Sequence, residues 1–430
     1  MWQNLRQKVF NSLRRSEKYT KTDMVYLAKS GFWLTTSQII SSLCSLVLAI
    51  AFANLIQPEL YGNYRYILSI IGILSIATFP GINTAAIKSV ADGDISSFWK
   101  LATKKIFWSL ATTLLSLTLS LYYYLQSNQE LSLVLIIVAI LLPVIQTTGI
   151  YSSFLSGQKN FRRLAQWSMI SKVFASGAII ISLFFLEKLS SLILIYFLPE
   201  IIIESIFLYQ LYRKNRPNRA AANINLYSNF GIHLSVMEIL KTVASQIDKL
   251  LVFHYLGAAQ LAIYTIASAA PGQIKSVLQN LTTLSLPKFS ESTESNIRKT
   301  LPQKLFTLEL VIIVLIIFYW LIAPFVFPLV FPKYIEAIFL SQVYSLSLIF
   351  FPRTFFSTAM TAHMKKNQLY AIRIIAPTAR ITTFAVALPF FGLWGAVVGS
   401  IVSNAITAGV YQYFFRKAFP FPDPQSQSLA

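Results

Sequence analysis

The chain has 430 residues, of which 55% are apolar, 14% aromatic and 12% charged, where an average soluble domain carries about 25% charged residues. So few charges cannot cover a water-soluble protein of this length; with a mean hydropathy of +0.59, the composition is that of an all-α polytopic membrane protein. The net charge of +20, from 36 Lys and Arg against 16 Asp and Glu, suggests nucleic acid only if it is gathered on a soluble domain, and its spread along the chain excludes that.

Residues 1–29 set Trp2, Leu5, Val9, Phe10 and Leu13 near helical spacing, with Arg6, Arg14 and Arg15 between them. This predicts an interfacial helix on the cytoplasmic leaflet. The apolar run that follows is too long for a cleaved signal peptide. A bilayer core takes about 20 apolar residues in a helix, and twelve runs qualify: 30–54, 64–87, 106–126, 131–155, 164–186, 189–212, 232–256, 261–286, 305–331, 336–362, 370–390 and 392–415. Pro324, Pro328 and Pro332 break the last third of the ninth run, and Phe391-Gly392 alone divides the last two.

The connecting segments alternate sharply in charge. Those at 1–29, 88–105, 156–163, 213–231, 287–304, 363–369 and 416–430 hold 26 Lys and Arg, whereas the opposite side holds only Lys188 and Lys333. Cytoplasmic loops carry the Lys/Arg excess. The expected product is therefore a multi-pass protein of the cell (inner) membrane with both termini cytoplasmic, its positive charge facing anionic lipid and no nucleic acid.

The polar stretch 213–231 separates six spans from six. This predicts an N-lobe at 30–212, a cytoplasmic linker at 213–231, a C-lobe at 232–415 and a cytoplasmic tail at 416–430. A shift of 200 residues lays Tyr64-Arg65 beside Tyr264-Thr265 and Gly72 on Gly272, a weak repeat. Pro80-Gly81 and Pro271-Gly272 interrupt the second span of each half, and Pro143 and Pro352 the fourth. Broken helices in corresponding places point to a transport pathway, although proline also merely bends many membrane helices.

Ionisable residues within spans cost at least about 2.5–3.5 kcal/mol on insertion scales and usually line a watery cavity. Arg65 and Arg373, near span ends, are assigned to snorkelling. Glu200 and Glu204 are one turn apart and are read as partners of Lys172, and Glu309 lies near a span end. Lys241, Asp248 and Lys249 recur at spacings of seven and eight on the seventh span, which predicts one shared face; Glu238 stands three residues before Lys241. Lys275, Arg353 and Arg380 lie deep in spans eight, ten and eleven. A cavity bearing Lys172, Lys241, Lys249, Lys275, Arg353 and Arg380 suits a large anionic substrate, while Asp248 or Glu238 is placed to couple transport to H+ or Na+. The competing reading pairs each cation with a buried acid.

Other signals are bland. Cys44 is the only cysteine, His233, His254 and His363 lack zinc-ligand spacing, and no Gly-rich stretch ends in Gly-Lys-Ser/Thr. No metal or other cofactor is expected. Asp92-Gly93-Asp94 reads as a polar turn, Tyr122 to Tyr124 as an interfacial anchor, and Gly392, Gly395 and Gly399 as close helix packing.

Five stretches, in order along the chain, carry a family resemblance: Leu55-Ile-Gln-Pro-Glu-Leu-Tyr-Gly-Asn-Tyr64, Gln246-Ile-Asp-Lys-Leu-Leu-Val252 with Tyr255-Leu-Gly257 and Tyr264, Leu286-Pro-Lys-Phe-Ser290, Pro332-Lys-Tyr-Ile-Glu-Ala337, and Phe391-Gly-Leu-Trp-Gly-Ala396. Together they resemble the polysaccharide and O-antigen flippases of the multidrug/oligosaccharidyl-lipid/polysaccharide exporter superfamily. The resemblance implies two six-helix lobes in a V, opening alternately to each side. It implies a cargo of undecaprenyl-pyrophosphate-linked oligosaccharide moved to the outer leaflet for polysaccharide or lipopolysaccharide synthesis, beside polymerase and glycosyltransferase partners. Of the cavity cations, only Lys249 is carried by a motif, the Asp248-Lys249 pair; the others map by depth. The related drug exporters place an acid in the first span, and this chain has none there. Two further readings stand beside the flippase: a cation-coupled multidrug exporter, which the basic cavity disfavours, and a membrane ligase or polymerase of the same pathway, for which Glu59, Glu130, Glu187, Lys188, Lys333 and Glu336 are too scattered to form a catalytic cluster.

Overall fold

A computed structural model describes residues 24–216 and 224–420; the predicted interfacial helix at 1–29 lies almost wholly outside them. The described chain is helical throughout: α1 (Met24–Leu55), α2 (Pro58–Leu74), α3 (Gly81–Ala91), α4 (Ile95–Leu125), α5 (Gln129–Thr148), α6 (Tyr151–Gly157), α7 (Phe161–Ser182), α8 (Leu189–Lys214), α9 (Ile224–Leu256), α10 (Ala258–Glu291), α11 (Glu294–Val330), α12 (Ala337–Ser345), α13 (Thr354–Ala362) and α14 (Lys366–Ala418). Among the described residues 8 helices are long and apolar enough to cross a bilayer, or 9 if the bent pair α2–α3 makes one crossing. α9 and α10 are too polar to qualify, and α14 is two limbs divided at Gly392, whose φ is 56°. Helical segments thus stand at all the predicted runs.

The packing is inverted relative to a soluble protein. α4 buries Ser109, Thr112, Ser116 and Ser120 at successive turns, while Phe107, Leu110, Leu114 and Leu121 on its other faces are exposed. Small polar residues let helices approach and supply hydrogen bonds between them. The Ser116 hydroxyl donates to the Leu135 carbonyl at 2.7 Å, and Thr113 to that of Ala139 at 2.9 Å. The exposed apolar side chains need a lipid solvent.

Tight connections follow a repeated local rule. Gly93, Ser127 and Lys159 adopt positive φ, ending one helix, and the next residue is an Asp or Asn that caps the following helix. Asp94 accepts from Ser97 N at 2.9 Å, Asn128 from Leu131 N at 3.1 Å and Asn160 from Arg163 N at 3.2 Å. Asp92-Gly93-Asp94 is therefore a turn: Asp92 binds Lys88 Nζ at 2.7 Å and accepts from the Tyr227 hydroxyl at 3.0 Å.

The breaks depart from expectation in four places. Between α2 and α3 a 3-10 turn at Ser75–Thr78 is followed by Phe79 at φ 53°, and the helices bend by 50° before Pro80 restarts the chain. Pro271, by contrast, lies inside an unbroken α10, and Pro324 and Pro328 inside an unbroken α11. The predicted symmetry of broken second spans is absent, because Phe79 supplies a left-handed residue and nothing does so before Pro271. The α5–α6 break falls at Gly149-Ile150, after Pro143, while Pro352 does lie in a 3-10 segment, Leu346–Arg353. Finally, residues 224–231, read as linker, already belong to α9.

Four apolar clusters organise the bundle, the smallest of them Val252, Leu261, Tyr264, Phe384, Leu388 and Ala396 beside Asp248. One combines both halves of the sequence at the end with few basic residues: Phe52, Tyr61, Tyr64 and Leu189 with Ala262, Phe327, Tyr334 and Val397. At the basic end the core divides. Ile82, Phe98, Phe154, Trp167 and Tyr227 form one cluster, and Leu278, Ile297, Phe356, Met360 and Phe415 another.

Candidate functional site

Asp248 on α9 is the node of an intramembrane charge cluster. It is 4% exposed. Its Oδ2 accepts from Arg380 Nη2 on the first limb of α14 at 3.1 Å and from the Tyr264 hydroxyl on α10 at 3.0 Å. Tyr264 lies 3.4 Å from Ser400 Oγ on the second limb of α14, so one carboxylate ties three helices. Arg380 also stacks its guanidinium over the Phe384 ring, 5.4 Å from the centroid. The satisfaction is incomplete. Asp248 Oδ1 and Arg380 Nε are buried without a hydrogen-bond partner among the described residues.

Next to this pair, Lys249 Nζ donates to Gln246 Oε1 at 3.1 Å. Gln246 packs on Gly72 of α2, where any Cβ would meet its Nε2 at 3.1 Å. Arg65, Asp248 and Arg380 all lie within electrostatic reach of Lys249, and Arg380 and Asp248 within that of Lys275. Lys275 lines a small cavity of about 40 Å³ with Ser347, Thr354, Asn404, Thr407 and Tyr411. Arg65 Nε is buried and has no hydrogen-bond partner among the described residues. Three cations, from α9, α10 and α14, thus share the Asp248 carboxylate, and Arg65 of α2 adds a fourth positive charge beside Lys249. Two unit charges at 4 Å interact by about 4 kcal/mol at an effective dielectric of 20. The surplus positive charge therefore favours a multivalent anion, such as a pyrophosphate, whose oxygens accept several charge-assisted hydrogen bonds.

The other predicted site residues are apart from this cluster, each with a carboxylate of its own. Lys172 approaches Glu200 at 3.9 Å, across α7 and α8. Lys241 binds Glu238 at 2.9 Å within α9, and Arg373 reaches the same Glu238 at 4.0 Å. Arg353 clasps Glu309 through Nε and Nη2, at 2.5 and 3.1 Å, and its Nη1 donates to Gln412. The structure thus joins Lys249, Lys275, Arg380 and Asp248, and leaves Lys172, Lys241, Arg353 and Glu238 in local ion pairs.

Four expectations are corrected. Lys241 and Asp248 do not share one environment: the Lys241 side chain is 69% exposed and that of Asp248 6%, because only the latter faces α10 and α14. Arg65 does not snorkel from a span end. α2 begins at Pro58, two turns earlier, which carries Arg65 into the bundle. Lys105, counted in a loop, is 1% exposed inside α4 and donates to Asn83 Oδ1 at 2.8 Å. The signal for Arg65 was present in the alignment of Tyr64-Arg65 with Tyr264-Thr265, since both tyrosines are buried. Of the two acids offered to Lys172, Glu204 instead accepts from Thr148 Oγ1 at 3.2 Å. Among the described residues, no three His, Cys, Asp or Glu converge as a metal site.

Comparison with known proteins follows this geometry. The family described as polysaccharide biosynthesis protein matches residues 27–293. No curated protein matches the sequence. Among solved structures, the fold is similar to an inward-facing conformation of a multidrug resistance MATE family transporter of the MOP superfamily, at TM-score 0.67 and 14% identity, covering 90% of this chain and 98% of that one. An outward-facing conformation of a transporter of the same description matches at 0.56 and 14%, covering 91% and 95%. The lipid II flippase MurJ in an inward closed conformation matches at 0.62 and 12%, covering 90% and 87%.

Proposed function

The chain belongs to the polysaccharide biosynthesis protein family, and from that premise we propose that it is a multi-pass membrane transporter, not an enzyme, that flips polyprenyl-pyrophosphate-linked oligosaccharide from the cytoplasmic to the outer leaflet. The observation that carries this reading is the surplus of half-buried cations, with Lys249, Lys275 and Arg380 around the one buried carboxylate of Asp248 and Arg65 beside Lys249. A neutral or cationic drug has no use for such a field; a pyrophosphate does. The lipid chain stays in the bilayer, and the glycan crosses between the lobes, where polar groups lower the cost of leaving water.

The basic loops set the orientation, with both termini in the cytoplasm of an inner membrane. The N-lobe ends with α8 at Lys214, and the C-lobe begins with α9 at Ile224 and runs to 415, followed by the tail at 416–430. The shared apolar cluster at the end with few basic residues and the divided clusters at the basic end fit a V open toward the cytoplasm. The higher TM-score to the inward-facing transporter, 0.67 against 0.56, agrees with that state. Asp248, the carboxylate that holds Arg380, or Glu238 is the acid placed to couple transport to H+ or Na+. Lys172, Lys241 and Arg353 serve the cargo only where their partners Glu200, Glu238 and Glu309 release them.

Flipping of a fluorescent polyprenyl-pyrophosphate glycan in proteoliposomes tests the proposal. Replacement of Lys249 or Arg380 by Ala is expected to abolish flipping in protein that still inserts. Full flipping by a Lys241/Lys249/Arg380 triple Ala variant, at normal insertion, rejects the basic-site mechanism.

A further inference from the structure

A cavity of about 890 Å³ opens at the end of the bundle opposite the basic loops. Its wall is built by the α1–α2 connection (Leu55, Ile56, Gln57), Leu60, the α7–α8 connection from Leu183 to Lys188, Ser191 and Lys333. None of these residues belongs to the charge cluster. Lys188 and Lys333 are the only two basic residues among the loops of that end, and both line this cavity. A pair of cations at an otherwise acidic end is not a topology signal, since it runs against the Lys/Arg asymmetry of the chain.

The two lysines are held differently. Lys333 Nζ donates to the Asn54 and Ile56 carbonyls at 2.8 and 3.2 Å, closing the C-terminus of α1. An ammonium has three donors, so one remains. Lys188 makes no hydrogen bond or ion pair through its side chain among the described residues. Lys188 and Gln57 are the N-cap residues of α8 and α2, and neither side chain closes on its own helix. Glu187 leaves the lining with a net charge of +1. Beside the lysines, Phe184 is 65% and Phe185 80% exposed, at the depth where helices end and an interfacial aromatic belongs.

Two ammonium groups next to an apolar flank at the membrane surface match one chemical class, an amphiphile with an anionic head. We infer that this cavity holds the phosphate head of an anionic phospholipid from the adjacent leaflet, with its acyl chain along Phe184 and Phe185. Lys188 and the free donor of Lys333 bind the phosphate oxygens, and the site is separate from the cargo cluster in both place and partners.

The full-length chain carrying Phe185→Trp, reconstituted in vesicles, reports on this location through quenching by lipids brominated on the acyl chain. Relative to the unsubstituted chain, the added fluorescence is expected to be quenched by brominated phosphatidylglycerol at about fivefold lower mole fraction than by brominated phosphatidylcholine, the preference that one lysine at a membrane surface supplies. Adding Lys188→Glu removes that preference. Equal quenching by the two lipids, or a preference that survives Lys188→Glu, overturns the inference. Lys188 does not brace the fold, so a preference lost in that variant is not a loss of folding. The readout is binding, so its failure is distinct from a failure of glycan flipping.

Discussion

Asp248 holds Arg380 at 3.1 Å with a side chain only 6% exposed, against 22% for the arginine. Removing one member of a buried pair strands the other charge and costs about 3–5 kcal/mol, whereas removing both is far milder. Asp248→Asn is therefore expected to lower thermal stability strongly, and Asp248→Asn with Arg380→Gln to recover most of the loss. Melting of the purified variants in detergent decides this; a double variant as unstable as the two losses combined argues that the pair is not one unit. The same logic separates the cations of the cluster from Arg353. Glu309 and Gln412 surround that guanidinium, so its replacement is expected to loosen α11, α13 and α14 before it touches cargo.

Among elements, α2 and its continuation α3 form the seam on which the halves of the chain meet. A Cβ on Gly62 would sit 1.8 Å from the Ala258 carbonyl oxygen, and one on Gly81 2.3 Å from that of Gly231. Ser235 Oγ accepts from Gly81 N at 2.9 Å, so α9 rests directly on the α3 backbone. Gly62→Ala is expected to part α2 from α10 and destabilise the fold by more than about 1 kcal/mol. Gly409→Ala meets nothing within 4 Å and is expected to raise stability by about 0.4–1 kcal/mol. Thermal unfolding of the two variants side by side checks the contrast; equal effects refute the close seam. Gly395 plays the corresponding role in α14, where a Cβ would approach the Ala387 carbonyl oxygen to 2.2 Å, so the two limbs turn back on each other with no room for a side chain.

At the scale of the molecule, the shared apolar cluster at one end and the divided clusters at the other imply that transport must open what is now closed. Tyr66 of α2 and Phe253 of α9 stack across the halves with ring centroids 3.7 Å apart, and Tyr66 is bound through its hydroxyl to Tyr123. This stack lies one turn beyond Lys249 along α9, toward the closed end. Cysteines at 66 and 253, joined by a short reversible cross-linker, are expected to stop flipping, and reductant to restore it. Unimpaired flipping by fully cross-linked protein shows that this end does not open.

The lipid-facing pattern, the twelve helical runs and the charge asymmetry of their loops are legible in the sequence, because a bilayer imposes a fixed length and an apolar exterior on every crossing. The Asp/Asn caps after Gly93, Ser127 and Lys159 are equally local. Partnership is not local. Whether a buried cation meets a carboxylate depends on which helix faces it, and hydropathy is silent on that. Arg353 finds Glu309 forty-four residues away and Arg380 finds Asp248 at a separation of 132, while Arg65 enters the bundle because Pro58 starts its helix early. Composition and periodicity thus determined that this chain crosses a membrane many times and carries buried charge. Only the packing of helices distant in sequence decided which of those charges meet a carboxylate of their own and which crowd around Asp248.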